Sequence, residues 1–193
     1  LSIDAPAEPT VTAFYESTEK AVAVTVYGRT NMLTPNQASL ETNTTGWGAV
    51  TNCAIARSTS QYSSGVASLS MTASASGDMV ASTTSATAVT VSPNHYFSAS
   101  AEFKANSSAR SVYVGIRWLT SAGATISTGY GTAVTNSSSA WTSASYSAVA
   151  PATAASAQVF VKVASAGSSE IHYVDKIAFH AGTSPTYTSG GFS

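Results

Sequence analysis

Apolar residues in this chain recur at every second position and almost nowhere at every third or fourth, and that periodicity constrains the fold more than any other feature. A strand sends successive side chains to opposite faces, so alternation marks a segment with one face in a core and the other in water. Val22, Val24 and Val26 alternate with Ala21, Ala23 and Thr25, and Leu69 and Met71 with Ser68, Ser70 and Thr72. Phe97, Ala99, Ala101 and Phe103 alternate with Ser98, Ser100, Glu102 and Lys104. Val112, Val114, Ile116 and Trp118 alternate with Tyr113, Gly115 and Arg117, and Val159, Val161 and Val163 with Gln158, Phe160 and Lys162. No window of 12 residues sustains a helical stripe. The expectation is an all-β chain of half-buried antiparallel strands forming a sandwich or barrel.

Strands are expected near 10–15, 21–28, 49–57, 66–73, 78–84, 87–91, 95–104, 111–119, 124–130, 141–149, 157–164 and 170–179. Turn residues separate them, as at Ser64-Gly65, Ser76-Gly77-Asp78, Ser92-Pro93-Asn94 and Ala122-Gly123. Residues 1–30 read as a linker around Pro6 and Pro9 followed by a β-hairpin, 31–181 as the main module, and 182–193 as a tail or linker. A lone hairpin is marginal in water, so this one is expected to pack on a neighbour.

Composition matters because it argues both ways. Ala (34), Ser (34) and Thr (26) fill about half of the 193 residues, and large aliphatics are sparse. Yet the net charge is only -1 and aromatics reach 9%, so the chain lacks the self-repulsion and low hydrophobicity that keep a polymer open. A folded protein with an Ala/Ser/Thr surface is expected.

The eight Lys and Arg are scattered, which leaves no basic stripe to release counterions from a nucleic acid. No stretch is long and apolar enough to insert in a membrane, and residues 1–20 lack the pattern of a signal peptide. Leu1 in place of Met suggests an excised or processed chain. Cys53, the single cysteine, excludes an intrachain disulfide and reads as a small, buried strand residue.

Chemistry-bearing motifs are missing. The sequence has no Gly-x-Ser-x-Gly elbow, phosphate-cradling glycine loop or His-Glu-x-x-His, and His95, His172 and His180 do not have zinc spacing. The expectation is a protein that is not an enzyme. Trp47 and Trp118 are assigned to the core.

With strands and turns placed, three segments together resemble jelly-roll carbohydrate-binding modules of families 4, 9 and 22: Asn31-Met32-Leu33-Thr34-Pro35-Asn36 with Ser39-Leu40-Glu41 and Gly46-Trp47; Ser64-Gly65-Val66-Ala67-Ser68-Leu69; and His172-Tyr173-Val174-Asp175-Lys176-Ile177. The similarity covers about 31–181, and it departs from the family pattern at Leu40 and at Lys176, where a second acid is usual. The preceding hairpin and the Ala/Ser/Thr richness also resemble tail proteins of phages that infect Actinobacteria.

The resemblance implies a β-sandwich jelly roll, and a structural Ca2+ held by Glu41 and Asp175 where the first and last strands close, with backbone carbonyls completing the shell. Jelly-roll order further implies that the strands near 66–73, 157–164, 95–104 and 111–119 lie side by side in one sheet. Their polar alternates would then share one face carrying Tyr96, Glu102, Tyr113, Arg117, Gln158, Phe160 and Lys162. Sugars need such a surface, with an aromatic face for C–H groups and flanking donors and acceptors for hydroxyls. Phe160 and Tyr113 are the expected platforms, and Gly115 the expected slot. The implied function is non-catalytic adhesion to a polysaccharide or host cell-wall glycan, in an extracellular or virion setting. The alternative is a structural tail module whose faces contact other tail subunits.

Overall fold

The structure is a computed structural model that describes residues 10–11, 24–25 and 30–183. At its start β1 (Thr10–Val11) pairs antiparallel with β2 (Val24–Thr25), in the register Thr10 to Thr25 and Val11 to Val24. The remainder of the expected hairpin, and all but the first two residues of the expected tail, lie outside the described residues.

The other strands form two antiparallel sheets. One has the order β10 (Thr125–Tyr130), β9 (Ser111–Leu119), β13 (Ser156–Ala166), β6 (Gly77–Thr83) and β3 (Trp47–Thr51), with β11 (Val134–Thr135) on β9 and β7 (Val89–Thr90) on β13, seven strands in all. The other has the order β12 (Thr142–Val149), β8 (Tyr96–Ala105), β14 (Ile171–Ala181), β5 (Ser68–Ala73) and β4 (Cys53–Ser58). They are the two layers of a jelly-roll β-sandwich, as expected.

The alternating residues read from the sequence meet between the layers. Val112, Val114, Ile116 and Trp118 face inward with Val159, Val161 and Val163, against Phe97, Phe103, Leu69, Met71, Val174, Ile177 and Phe179 of the second sheet. Phe97 stacks on Phe179 with centroids 5.5 Å apart and meets Trp118 edge-on at 5.8 Å, so one aromatic trio joins both layers. Alanine proves to be core as well as surface: Ala81, Ala99, Ala101, Ala144 and Ala157 are all buried. Because the large aliphatics are few, small residues opposite large ones fill the space between sheets.

Three local features depart from the sequence reading. The single strand expected over 49–57 is two strands in different sheets, broken at Asn52, whose φ of 47° turns the chain across the sandwich. The Asn52 side chain holds this corner, donating to Ala75 O and accepting from Ala75 N, both at 2.8 Å. A short helix, α1 (Pro35–Ser39), was not expected from periodicity. Its signal lies in Thr34-Pro35-Asn36-Gln37: Thr34 caps the helix, Pro35 begins it, and Gln37 completes a capping box. Third, β14 bulges after Asp175, where Lys176 has a φ of 47°.

The opening motif is explained by its contacts with the closing strand. Buried Asn31 donates from Nδ2 to Ile177 O at 2.9 Å, while its Oδ1 accepts from the N–H groups of Leu33 and Phe179. Trp47 is buried and donates from Nε1 to Gln37 O at 2.9 Å, which ties α1 to the first sheet. Cys53 is half-buried, and burial pushes its thiol above the ordinary value. Among the described residues no helix is long and apolar enough to cross a membrane.

Candidate functional site

Sheet membership divides the seven residues expected on one face. β9 and β13 are neighbours in the seven-stranded sheet, whereas β5 and β8 belong to the five-stranded one. Tyr113, Arg117, Gln158, Phe160 and Lys162 therefore share a face, and Tyr96 and Glu102 sit on the opposite side of the sandwich. Alternation fixes which side of its own strand a residue occupies, but not which sheet the strand joins.

On the seven-stranded face the register places Tyr113 across from Lys162, Gly115 from Phe160 and Arg117 from Gln158. From the other side β10 sets Tyr130 opposite Gly115 and Thr128 opposite Arg117. These cross-strand pairs build an aromatic cluster. Tyr130 stands edge-on to Phe160 at 4.6 Å between centroids and edge-on to Tyr113 at 6.1 Å.

Phe160 is not the exposed platform expected of it, because its side chain is fully buried on the outward face, beneath this cluster. The expected slot at Gly115 is filled by the Phe160 ring: a Cβ there would lie 2.7 Å from Cζ of Phe160 and 2.6 Å from the Gly129 carbonyl oxygen. The exposed ring is Tyr130, 40% accessible, with half-buried Tyr113 beside it. Tyr130 is legible in Thr128-Gly129-Tyr130-Gly131, an aromatic flanked by glycines at the end of an expected strand, but the sequence alone does not give that strand a face.

Charges frame the aromatics. Lys162 Nζ pairs with Asp78 Oδ2 at 2.6 Å and lies 5.4 Å from the Tyr113 centroid and 5.6 Å from that of Tyr130. The bond to Asp78 raises the Lys162 pKa, and the same bond, aided by the Ser165 N–H, lowers that of Asp78. The Arg117 guanidinium lies over Phe160, 5.6 Å from its centroid. Gln158 is buried and donates to Thr83 O, so it supports the sheet rather than facing a ligand.

Tyr96 and Glu102 have other surroundings. Tyr96 is 52% exposed and pairs across strands with exposed Val149. Glu102 accepts from Ser63 Oγ and faces Lys176 Nζ at 3.4 Å. That contact also answers the departure at Lys176, because it takes the ammonium to Glu102.

Asp175 is fully buried, its Oδ2 accepting from Ser63 and Ser64 N–H at 2.7 and 2.8 Å and its Oδ1 from Lys176 N–H at 2.7 Å. Burial raises its pKa, and nearby Glu41 adds to the rise. Glu41 Oε2 accepts from Val66 N–H at 2.9 Å, while its Oε1 is buried with no hydrogen-bond partner among the described residues. A carboxylate oxygen left in this way beside a second buried acid fits a hard cation, which prefers oxygen ligands and favours the ionised forms. Among the described residues no group of three or more His, Cys, Asp or Glu forms a metal cluster, so backbone or hydroxyl oxygens would complete any shell.

The two buried histidines, His172 and His180, brace the fold. His172 is buried, 2.9 Å from Asn136 Nδ2 and 3.2 Å from Glu170 Oε1, and burial lowers its pKa. Burial alone would raise the Glu170 pKa, but bonds from Arg110, the Gly167 N–H and His172 bring it down to about 2. A pocket of about 340 Å³ lies beside α1, lined by Thr34, Asn36, Gln37, Thr42, Asn43 and Thr45 among others. Asn36 and Asn43 bond to each other and to neighbouring backbone there, so the pocket's amides are already engaged.

No protein-family profile matches the chain, and no curated protein does. Solved structures share its fold. The CBM22-1 xylan-binding domain of Paenibacillus barcinonensis Xyn10C superposes with a TM-score of 0.61 at 16% identity, over 76% of this chain and 93% of that one. The C-terminal family 22 carbohydrate-binding module of Clostridium thermocellum Xyn10B gives 0.58 at 13% identity, over 81% and 93%. The enzymatically active domain of bacteriophage CBA120 tailspike protein 4 gives 0.56 at 12%, over 78% of this chain and 21% of that one. The likeness is one of fold: this chain has the β-sandwich of carbohydrate-binding modules.

Proposed function

We propose that the chain is a non-catalytic carbohydrate-binding module and that a glycan lies on the outward face of the seven-stranded sheet. The observation that carries this reading is the exposed Tyr130 ring, held by buried Phe160 and flanked by Tyr113, Arg117, Thr128 and the Lys162–Asp78 pair. The ring offers a face to sugar C–H groups, and its polar neighbours reach ring hydroxyls from fixed positions. Because Phe160 and the ion pair hold these groups in advance, little side-chain entropy is lost on binding. The fold shared with xylan-binding domains supports the same reading. In this reading Arg117 and Lys162 serve as hydrogen-bonding partners of the glycan, whereas Tyr96 and Glu102 belong to the other sheet and do not join them.

Structural calcium at Glu41 and Asp175 is part of the proposal. The ion would neutralise buried Asp175 and half-buried Glu41, whose Oε1 is itself buried, where the loop at 63–66 meets β14. The setting we propose is extracellular or virion, with the module adhering to a polysaccharide or cell wall. The competing reading, a structural tail module contacting other tail subunits, draws on the exposed Tyr96 and Val149 pair. A glycan array probed with the purified chain separates the two: selective glycan binding supports the module, and no binding supports the subunit contact.

A further inference from the structure

The six basic side chains among the described residues differ in how their charge is met. Arg57 donates to the carbonyls of Leu40 and Glu41, Lys104 to Gln61, and Arg110 to Glu170. Lys162 pairs with Asp78 and Lys176 with Glu102. Arg117 alone among them has no side-chain hydrogen bond or ion pair within the described residues; its guanidinium lies over the ring of Phe160. It occupies the proposed glycan face, across the register from Thr128 and two positions along β9 from Gly115, which Tyr130 faces.

Asp78, the acid that the described residues bring to this cluster, is already neutralised by Lys162 at 2.6 Å. Among the described residues Arg117 therefore leaves this cluster with an uncompensated positive charge. A guanidinium is a planar fork of donors that matches an oxyanion in two parallel bonds, and the Phe160 ring beneath Arg117 holds that fork on the same face as Tyr130. For a neutral sugar these donors meet only hydroxyls. For an acidic sugar they meet a full countercharge.

We infer that the glycan bound on this face is acidic, with Arg117 pairing to an oxyanion of the polysaccharide while a sugar ring lies on Tyr130. The inference rests on the carbohydrate-binding reading and narrows it to one ligand class. A uronate carboxylate and a backbone phosphodiester share the required chemistry.

Isothermal titration of the full chain with oligogalacturonate, poly(glycerol phosphate) and neutral xylo-oligosaccharides, at low and high salt, tests it. At low salt an acidic ligand should bind at least about tenfold more tightly than the neutral one, in line with a charge-assisted bond. Added salt should erode that advantage, and Arg117→Met should remove most of it. Whichever acidic ligand binds identifies the oxyanion. Equal affinity for neutral and acidic ligands, or equal loss of both in Arg117→Met, would overturn the inference and leave the carbohydrate reading standing. Absence of binding to any glycan would overturn both. If Arg117→Met melts well below the parent chain, the salt dependence of the unmodified protein still decides.

Discussion

The two outward faces of the sandwich are furnished and covered in different ways. On the five-stranded sheet the outward side chains Ser98, Ser100, Asp175, Ala178 and His180 are buried, and the loop bearing Gln61, Ser63 and Ser64 bonds down onto Lys104, Glu102 and Asp175. On the seven-stranded sheet, β10 brings Tyr130 up beside Tyr113 and leaves it accessible over buried Phe160. One face is closed by its own chain and the other is furnished with an aromatic and charges. A polar alternation in sequence therefore does not distinguish a binding surface from a seam, because what covers the face is decided by distant segments.

The sharpest way to break this comparison is to delete the ring beneath the open face. Phe160→Ala should cost about 3–5 kcal/mol of stability, as for other fully buried aromatics, whereas Tyr96→Ala on the opposite side should stay within about 0.5 kcal/mol. Urea denaturation measures both. A mild effect at Phe160 would mean that the cluster above it is loose.

Calcium tests the closed face. A cation that binds only the native state, at a hundred times its dissociation constant, should stabilise it by about 2.7 kcal/mol, and Glu41→Gln should abolish that gain. Thermal melting in EDTA and in excess calcium reads the effect. Identical curves would show that Glu41 and Asp175 are held without a metal.

The acids of the two faces should also respond oppositely to pH. The Asp78 pKa is lowered in the folded state, so its pairing contributes above the ordinary carboxylate range and is lost as pH falls through the folded value. The Asp175 pKa is raised, so without calcium its contribution is greatest below the ordinary value and declines as pH rises through the folded one. The Asp78 effect should be under about 1 kcal/mol, because that pair is solvent-exposed and screened. Stability curves from pH 3 to 7 for Asp78→Asn and Asp175→Asn, each subtracted from the parent, should slope in opposite directions.

Most strands were legible because alternation is a local property: β8, β9, β12 and β14 lie within one or two residues of their expected spans. What sequence did not carry was nonlocal. The break at Asn52 depends on bonds to Ala75, more than twenty residues away. The split of β5 and β8 from β9 and β13 depends on which strands pair, and a period of two is blind to that. Alternation puts Phe160 on the outward side of its strand, but its burial involves Tyr130, which comes from β10. The helix at 35–39 was legible in its capping box, and only its shortness hid it from a search for amphipathic periodicity.

The central claim is that sugar binds the open face through its exposed ring. Titrating the glycan that the array identifies into Tyr130→Ala and Tyr96→Ala, with melting curves as controls, tests it most directly. The account predicts a loss of about 1–3 kcal/mol for Tyr130→Ala, by analogy with nucleobase stacking on aromatic side chains, and no measurable loss for Tyr96→Ala. Affinity that survives the loss of Tyr130 and falls with Tyr96 would put the ligand on the other sheet and contradict the account.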